Sequence, residues 1–240
     1  MRKYYKNMII NRAFFVPLHR KKYIWEMLEI KNGRIDREET PLFSNLSFMA
    51  NDGEIVCVAG TQGCGKSSLL QAFMGIIPLD EGYMNVDGDL IDMKSAPYFR
   101  RQMAFLPQDV EMPYQKVSDV LNDVFVLKRD KKKSEMKENL MDLWEEMEIP
   151  AEVFNQDYTG MDVSERRLIL LSGVCVLERP IVLLDEPSVW MDEEQLNKAG
   201  ICIRQLARNG SSVVITCQEH DPILRYCDKL VEMNSHSYHN

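Results

Sequence analysis

The sequence predicts an α/β fold built on a mostly parallel β-sheet. Four short apolar runs, each long enough for one buried strand, alternate with segments of helical periodicity, namely EIVCVA, QMAFLP, PIVLLDEP and SSVVITC. Parallel neighbours need a crossover connection, and a helix is the usual one. The first run leads into the glycine-rich loop GTQGCGKSS and then into a helix. This strand, loop and helix form the arrangement of a phosphate-binding site.

The N-terminal part is predicted to combine a basic extension with an antiparallel β subdomain. Residues 1–26 carry seven Lys or Arg residues and one acidic residue, so they are set apart from the domain predicted at 27–240. The runs YIWEMLEI and PLFSNLSFMA alternate apolar and polar residues, which is typical of strands with one buried face. A helix is predicted over 66–74, closed by Gly75, because glycine often follows the last turn of a helix.

The rest of the chain is predicted to hold a helical subdomain and to complete the parallel sheet. The helical subdomain covers about 95–165, where SEMKENLMDLWEEME predicts a helix and the charge run at 128–133 predicts a solvated loop or helix face. Two further helices are predicted in SERRLILLSGVCVLER and EEQLNKAGICIRQLAR, the second stopped by Asn209-Gly210. The run DKLVEM predicts the last strand.

The composition argues against several classes of protein. A net charge of −8 over 240 residues lacks the basic field of a general nucleic-acid-binding protein. No apolar run approaches the roughly 18 residues that a membrane span needs. The N-terminal apolar stretch is interrupted by Arg12 and has no small-residue cleavage site, which argues against a signal peptide. The six cysteines show no CxxC spacing, so we predict reduced thiols packed in a core, without a bound metal.

The glycine-rich loop is the strongest functional motif. Gly60, Gly65, Lys66 and Ser67 match the pattern G-x-x-x-x-G-K-[ST], in which backbone N–H groups and a helix N-terminus surround a phosphate. Lys66 is predicted to neutralise the β- and γ-phosphates, and the Ser67 hydroxyl to ligate Mg²⁺. Nucleotide contacts are predicted along the whole loop, at Gly60, Thr61, Gln62, Gly63, Cys64, Gly65, Lys66, Ser67 and Ser68.

A pair of acidic residues follows a later buried strand. Asp185 ends the apolar run IVLLD, 119 residues after Lys66, and Glu186 is its neighbour. Such a pair at a strand end is usually only solvated, but a phosphate loop upstream favours a catalytic role. Asp185 is predicted to hold Mg²⁺ through a water, and Glu186 to polarise the attacking water.

Four motifs, taken in order, resemble the ATP-binding subunits of ABC (ATP-binding cassette) transporters. They are GTQGCGKSS, AFLPQD, IVLLDEPSVWMD and VVITCQEHD, within a resemblance that covers about residues 27–233. The resemblance implies a P-loop NTPase fold of the ABC ATPase type, in its small single-cassette form. It further implies that Gln108 contacts the nucleotide and Mg²⁺ and links the site to the helical subdomain. Asp192 would belong to a dimer-contacting loop, and His220 would contact the γ-phosphate as a catalytic residue.

The base-binding position departs from the family pattern. Family members place an aromatic residue in the first sheet, where the adenine ring stacks. In this chain the stretch KNGRIDREE has Arg37 or Ile35 nearest to that position. An arginine can also stack on a base through its planar guanidinium, so both residues remain candidates.

The family signature, LSGGQ in most members, is degenerate in this chain. It falls about 24 residues before the strand-end aspartate, where the sequence reads MDVSE at 161–165. In the ungapped register Asp162 replaces the serine; in a gapped register Val163-Ser164 replaces Leu-Ser and both glycines are lost. The run LSGV at 171–174 is predicted to be unrelated to the signature, because it lies inside a helix.

The resemblance implies an ATPase that drives transport through a separate integral membrane permease. ATP and Mg²⁺ are the implied cofactors, and a second ABC subunit and the permease are the implied partners. The protein would be cytoplasmic and peripheral on the inner face of the cell membrane. Two alternatives remain open, a soluble ABC ATPase without a permease and a nucleotide-binding regulatory subunit with weak turnover.

Overall fold

The computed structural model describes residues 27–38, 40–109, 116–128 and 132–233. These residues form two sheets, one antiparallel and one parallel, with six α-helices and two short 3₁₀ helices within the described ranges. The predicted basic extension, 1–26, lies outside the described residues. No helix in the described part of the chain combines the length and the apolar character that crossing a membrane requires.

The antiparallel sheet is formed mainly by the N-terminal strands. Its order is β2-β1-β4-β5, with β1 at Met27–Arg37, β2 at Thr40–Asn51, β4 at Glu81–Val86 and β5 at Asp89–Leu90. Strands β1 and β2 pair antiparallel, as their alternating pattern predicts. Strands β4 and β5 were not predicted, because β4 begins with three exposed residues and β5 has only two residues.

The parallel sheet confirms the predicted α/β fold class. Its order is β6-β7-β8-β3-β9, and each neighbouring pair is parallel. The strands are β3 at Ile55–Gly60, β6 at Met103–Leu106, β7 at Ile181–Asp185, β8 at Ser212–Cys217 and β9 at Lys229–Met233. Every residue of β3, β7 and β8 is buried, as expected for strands covered on both faces.

The helices cover both faces of the parallel sheet and divide the apolar interior into two clusters. Helix α1 packs between the two sheets, with Leu69, Leu70 and Phe73 fully buried. The opposite cluster joins the sheet to helices α3, α4, α5 and α6. The helices are α1 at Lys66–Phe73, α2 at Ala96–Arg100, α3 at Val117–Val126, α4 at Lys133–Glu146, α5 at Val163–Val176 and α6 at Glu193–Arg208, with 3₁₀ helices at Ala151–Asn155 and Pro222–Tyr226.

The segment 95–165 holds helices α2, α3 and α4, the 3₁₀ helix at Ala151–Asn155 and the start of α5, but also one strand of the parallel sheet, β6. Its charge run is only partly solvated. Lys132 and Lys133 are exposed, as predicted, whereas Lys128 is buried. The Lys128 ammonium donates to the carbonyl of Leu177 at 2.8 Å and pairs with Glu178 at 3.0 Å, so it ties the end of α3 to the end of α5.

The cysteine prediction is wrong for one pair. Cys57 and Cys227 are joined as a disulfide, with Cα atoms 5.8 Å apart. Sequence spacing could not indicate this pair, because 170 residues separate two positions that lie side by side in the fold. Cys64, Cys175, Cys202 and Cys217 are free and buried, as predicted. Within the described ranges, no cluster of three His, Cys, Asp or Glu residues could hold a metal ion.

Candidate functional site

The glycine-rich loop connects the end of β3 to the start of α1. Gly63 and Gly65 have positive φ angles of 84° and 98°, a backbone region that glycine adopts without strain. The Lys66 ammonium is held by the loop itself, donating to the carbonyls of Gly60 at 2.7 Å and Thr61 at 2.9 Å. The lysine is therefore positioned over the concave side of the loop.

The acidic pair at the end of β7 lies beside this lysine. Glu186 Oε1 is 3.2 Å from Lys66 Nζ, and both side chains are buried. Asp185 Oδ1 accepts a hydrogen bond from Thr216 Oγ1 at 2.6 Å, and the Glu186 N–H donates to the same hydroxyl at 3.1 Å. Thr216, in β8, therefore orients both acidic residues. The sequence did not single it out, because a threonine in an apolar strand is ordinary.

Gln108 and Arg167 connect this centre to the helical layer. Gln108 Nε2 lies 3.4 Å from Glu186 Oε2, as its predicted place near the site requires. Its backbone carbonyl accepts from the guanidinium of Arg167 in α5, which also reaches the Asp185 carbonyl at 3.5 Å. Burial lowers the pKa of the Arg167 guanidinium, and the nearby carboxylates act in the opposite direction. Nothing in the sequence distinguished Arg167 from a surface arginine.

A groove of about 1140 Å³ runs over the loop and gathers most of the predicted site residues. Lys66, Ser67, Gln108, Glu186 and His220 all line it. So do most of the remaining predicted loop residues, namely Gly60, Thr61, Gln62, Gly63, Gly65 and Ser68.

Two predicted site residues lie behind the groove wall. Asp185 is buried behind Glu186, and Cys64 packs beneath the loop against Gly60. Burial raises the pKa of the Cys64 thiol, which keeps it neutral. Cys64 can therefore contact a phosphate only through its backbone.

An exposed tryptophan lines the same groove and was not predicted. Trp190 is 77% exposed and has a positive φ of 71°. It lies in the segment between Glu186 and Asp192, three residues before Glu193, where helix α6 begins. A bulky residue rarely adopts a left-handed backbone conformation. The conformation of this loop therefore costs conformational free energy at Trp190.

The donor set fits a magnesium ion. The Ser67 hydroxyl and the Gln108 amide line the groove, and the Asp185 carboxylate lies just behind it. Mg²⁺ prefers such oxygen ligands and is usually held by one or two protein groups together with water and substrate phosphates. The residues predicted as metal ligands are therefore of the right chemical kind for this ion.

The degenerate signature segment forms the start of helix α5. Asp162 is the N-cap residue, and its carboxylate accepts from the Glu165 N–H at 2.8 Å and the Ser164 hydroxyl at 2.6 Å. The hydrogen bond from Ser164, followed by that from the Glu165 N–H, lowers the pKa of Asp162. A charged carboxylate thus occupies the end of the helix that would otherwise attract an anion. The LSGV run lies inside α5, as predicted, with Ser172 fully buried.

The dimer-loop residue and the base-binding candidates can also be located. Asp192 is the N-cap of α6 and accepts from the Gln195 N–H at 2.8 Å. Ile35 is buried and lies opposite Phe43 in the sheet, so it cannot face a ligand. Arg37 is exposed and lines the groove, which leaves it as the candidate at the base-binding position.

The fold and the loop define a P-loop nucleotide-binding protein. Residues 43–189, more than half of the chain, match the family described as ABC transporter. The chain therefore belongs to the ABC transporter family, as the four motifs indicated.

The relatives in this family include several import proteins. One is a putative ribose/galactose/methyl galactoside import ATP-binding protein of Hahella chejuensis, 27% identical over 218 residues, which are 87% of this chain and 42% of the relative. A cobalamin import ATP-binding protein of Halobacterium salinarum is 27% identical over 85% of this chain and 52% of its own length. The chain thus spans about two fifths to one half of these relatives.

Other relatives match over nearly their whole length. An uncharacterized ABC transporter ATP-binding protein of Bacillus subtilis is 26% identical over 87% of this chain and 93% of its own length. Among solved structures, an ATP-binding subunit of an ABC transporter has a TM-score of 0.74 at 19% identity, covering 87% of this chain and 88% of its own. A putative ABC transporter ATP-binding protein of Pyrococcus furiosus has a TM-score of 0.73 at 22% identity, covering 86% and 97%. At these identities the structures establish the fold.

Proposed function

We propose that the chain binds and hydrolyses ATP with Mg²⁺ and that hydrolysis drives transport through a separate membrane permease. One observation carries the proposal: Lys66, Gln108 and Glu186, from three separate segments, meet at the mouth of the phosphate loop. Glu186 lies 3.2 Å from Lys66 and 3.4 Å from Gln108. The import ATP-binding relatives support a role in transport.

The chemistry follows from the charges of these side chains. A triphosphate on the loop would replace Glu186 as the partner of Lys66, because phosphate oxygens form strong charge-assisted hydrogen bonds with an ammonium. The freed Glu186 carboxylate would then polarise the attacking water, and Lys66 and His220 would stabilise the charge that develops on the phosphate. When bound, Mg²⁺ neutralises phosphate charge; Ser67, Gln108 and Asp185 would hold it.

A permease would dock on an apolar groove beside the site. This groove, about 800 Å³, lies between β6 and helices α3 and α5, with Val126 and Leu127 exposed along it and basic side chains at its edge. Those basic residues are Arg100, Arg101 and Arg179. Pro107 also lines the groove, and the next residue, Gln108, contacts Glu186. We propose an apolar and acidic cytoplasmic segment of the permease as its occupant, which would place the chain at the inner face of the membrane.

A second candidate is a nucleotide-binding subunit with weak turnover of its own. The observation that favours it is the Asp162 carboxylate at the N-terminus of α5, in the place of the family signature. In the family, a second ABC subunit presents this helix end to the γ-phosphate. A carboxylate there opposes an anion, so a pair of identical chains would hydrolyse ATP slowly.

Two substitutions in the groove test the main proposal. Glu186→Gln keeps the shape of the side chain but removes the carboxylate, so ATP binding should persist while turnover falls at least about a hundredfold. Lys66→Ala should instead weaken binding itself, because the charge facing the phosphates is lost. Calorimetry measures binding and phosphate release measures turnover. Glu219→Gln, an exposed carboxylate in the same groove, is the matched control and should retain both. Parental turnover by the Glu186→Gln variant would remove Glu186 from the mechanism.

The docking proposal is tested on the exposed side chains of the apolar groove. Val126 and Leu127 are 55% and 60% exposed, so the pair Val126→Glu and Leu127→Glu should leave folding and ATP affinity unchanged but abolish co-purification with the membrane fraction. Leu230→Glu is the control, because Leu230 is 51% exposed and lies on β9, the opposite edge strand of the sheet. Equal membrane recovery of both variants would exclude this groove as the docking surface.

A further inference from the structure

We infer that Arg167 sets the affinity of the nucleotide groove for Mg²⁺, because it holds the backbone next to the predicted metal ligands. The inference deepens the proposed function and rests on it, since it takes Gln108 and Asp185 as ligands of the ion. Arg167 acts on the ion through Gln108 and is therefore a positioning residue.

One buried guanidinium joins the two segments that carry these ligands. Arg167 lies in helix α5, and its side chain is buried. Its Nη2 donates to the backbone carbonyl of Gln108 and lies 3.5 Å from the carbonyl of Asp185. Gln108 follows strand β6 and Asp185 ends strand β7, so the guanidinium links the ends of two neighbouring strands. A group in this place helps to fix how far apart the two predicted ligands lie.

Gln108 depends on this contact more than Asp185 does. Asp185 belongs to a central strand, where it pairs with Thr216 of β8, and the Thr216 hydroxyl holds its carboxylate at 2.6 Å. Gln108 is exposed and lies two residues beyond the end of β6, an edge strand of the parallel sheet. Among the described residues, only the Arg167 guanidinium hydrogen-bonds its backbone. Losing this guanidinium would therefore release Gln108 and leave Asp185 in place.

The contact also limits where the Gln108 side chain can lie. Gln108 Nε2 is 3.4 Å from Glu186 Oε2, so the amide reaches the carboxylate that lies beside Lys66. A side chain whose backbone is already fixed loses less conformational entropy when it binds an ion. Contacts of this kind, which orient a metal ligand from behind, typically change metal affinity by about 10- to 100-fold.

The positive charge of Arg167 acts in the opposite direction. It lies close enough to Asp185 and Glu186 to interact with both carboxylates. A cation at this place repels a second cation, so its charge alone would weaken Mg²⁺ binding. Removing the guanidinium would then tighten Mg²⁺ binding if Arg167 acted only as a charge, and would weaken it if Arg167 positions Gln108. The sign of the change separates the two roles.

The test measures the affinity for AMPPNP, an ATP analogue that is not hydrolysed, by calorimetry with the full chain. Each protein is titrated with saturating Mg²⁺ and again in EDTA, and the ratio of the two affinities gives the contribution of the ion. In Arg167→Met, which preserves much of the packing, we expect the affinity with Mg²⁺ to fall about tenfold. The affinity in EDTA should not change, which also shows that the variant is folded. Arg208→Met, which removes an exposed guanidinium on α6 outside the groove, should match the parent in both titrations.

Two further substitutions show whether the effect runs through Gln108. Gln108→Ala removes the amide but keeps the backbone carbonyl, and it should itself lower the affinity with Mg²⁺. Adding Arg167→Met to Gln108→Ala should cause no further loss, because no amide remains to be positioned. Arg167→Lys keeps the charge and one donor, so it should lose less than Arg167→Met. It provides the same comparison if the methionine variant does not fold.

The outcomes that overturn the inference are distinct from those that overturn the proposed function. An equal loss in Mg²⁺ and in EDTA would show that Arg167 has only a structural role, and a gain with Mg²⁺ would show that only its charge matters. Additive losses in the double variant would show that Arg167 does not act through Gln108. In these cases the dependence of the parent on Mg²⁺ still supports the proposed function. A parent that binds AMPPNP equally with and without Mg²⁺, or not at all, would overturn the proposed function itself.

Discussion

At the residue scale, the site depends on a few buried polar groups that hold one another in place. Glu186 has a positive φ of 44°, a conformation that costs free energy for a residue with a Cβ and that functional sites often retain. Its backbone N–H and the Asp185 carboxylate share the Thr216 hydroxyl. One β8 side chain therefore fixes both the strand end and the direction of the catalytic candidate.

Thr216→Val should lower both stability and turnover. Valine has the same shape, but it leaves the buried Asp185 carboxylate without the Thr216 hydroxyl donor. The Glu186 N–H loses that hydroxyl as an acceptor and keeps only the Thr216 backbone carbonyl at 3.0 Å. The expected loss is about 1–3 kcal/mol in the free energy of unfolding. Urea denaturation gives the stability, and phosphate release gives the turnover. Thr216→Ser keeps the hydroxyl and should recover most of both quantities; a valine variant equal to the parent would show that the hydroxyl has no such role.

The sequence predicted the parts of the site that are local in the chain and missed those that are not. Lys66 follows the glycines of its own loop, and Asp185 and Glu186 follow their own strand, so a short segment was sufficient to recognise each. Thr216 reaches Asp185 across 31 residues, and Arg167 reaches Gln108 across 59. Their importance arises only when the strands are assembled.

At the element scale, helix α5 connects helices α3 and α4 to the groove over the phosphate loop. It begins at Val163, immediately after the Asp162 cap, and contributes Arg167 to the Gln108 carbonyl one turn later. Further along, Ser172 accepts a hydrogen bond from Trp144 of α4 at 2.9 Å. A rigid α5 would therefore transmit a movement of helix α4 to the segment that carries Gln108.

The hydrogen bond between α4 and α5 is open to a double-mutant test. Ser172→Ala leaves the fully buried Trp144 indole N–H without its acceptor, which should cost about 1–3 kcal/mol of unfolding free energy. Trp144→Phe removes the donor and some packing. In the double variant the two losses should fall short of their sum by about 1 kcal/mol, because the bond can be lost only once. Additive losses, measured by urea denaturation, would contradict a hydrogen bond that stabilises the fold.

The sequence predicted the strands that are fully buried and the helices that are long, and it missed the strands that are short or partly exposed. The fully buried strands β3, β7 and β8 stand out as apolar runs, and helices α4, α5 and α6 as long periodic segments. Strand β4 was missed because its first half is exposed and polar, and its role in the antiparallel sheet depends on β1. Cys57 and Cys227 were likewise missed because the fold alone brings them together.

At the scale of the whole molecule, we propose that the chain carries one complete half of a nucleotide site and one altered half. The complete half is the groove with Lys66, Glu186 and His220. The altered half is the N-terminus of α5. There the Asp162 and Glu165 side chains form a capping box, in which each accepts a hydrogen bond from the backbone N–H of the other. We propose that this end faces the γ-phosphate on a second ABC subunit, as the family resemblance implies. The two halves then predict that a pair of identical chains hydrolyses ATP at a different rate from a pair of this chain with another ABC subunit.

Replacing Asp162-Val163-Ser164 by Ser-Gly-Gly should raise ATP turnover of the protein paired with itself. Serine still caps the helix, the negative charge is removed, and two glycines permit the close backbone approach that side chains prevent. Because one such contact to a developing charge is worth roughly 3 kcal/mol, a gain of at least about tenfold is expected. Turnover per chain is measured at several protein concentrations. The gain should appear at the concentrations at which two chains pair. Asp162→Asn, which keeps a cap without the charge, should show a smaller gain. An Asp162-Val163-Ser164 replacement with parental turnover at every concentration would show that this helix end does not limit hydrolysis.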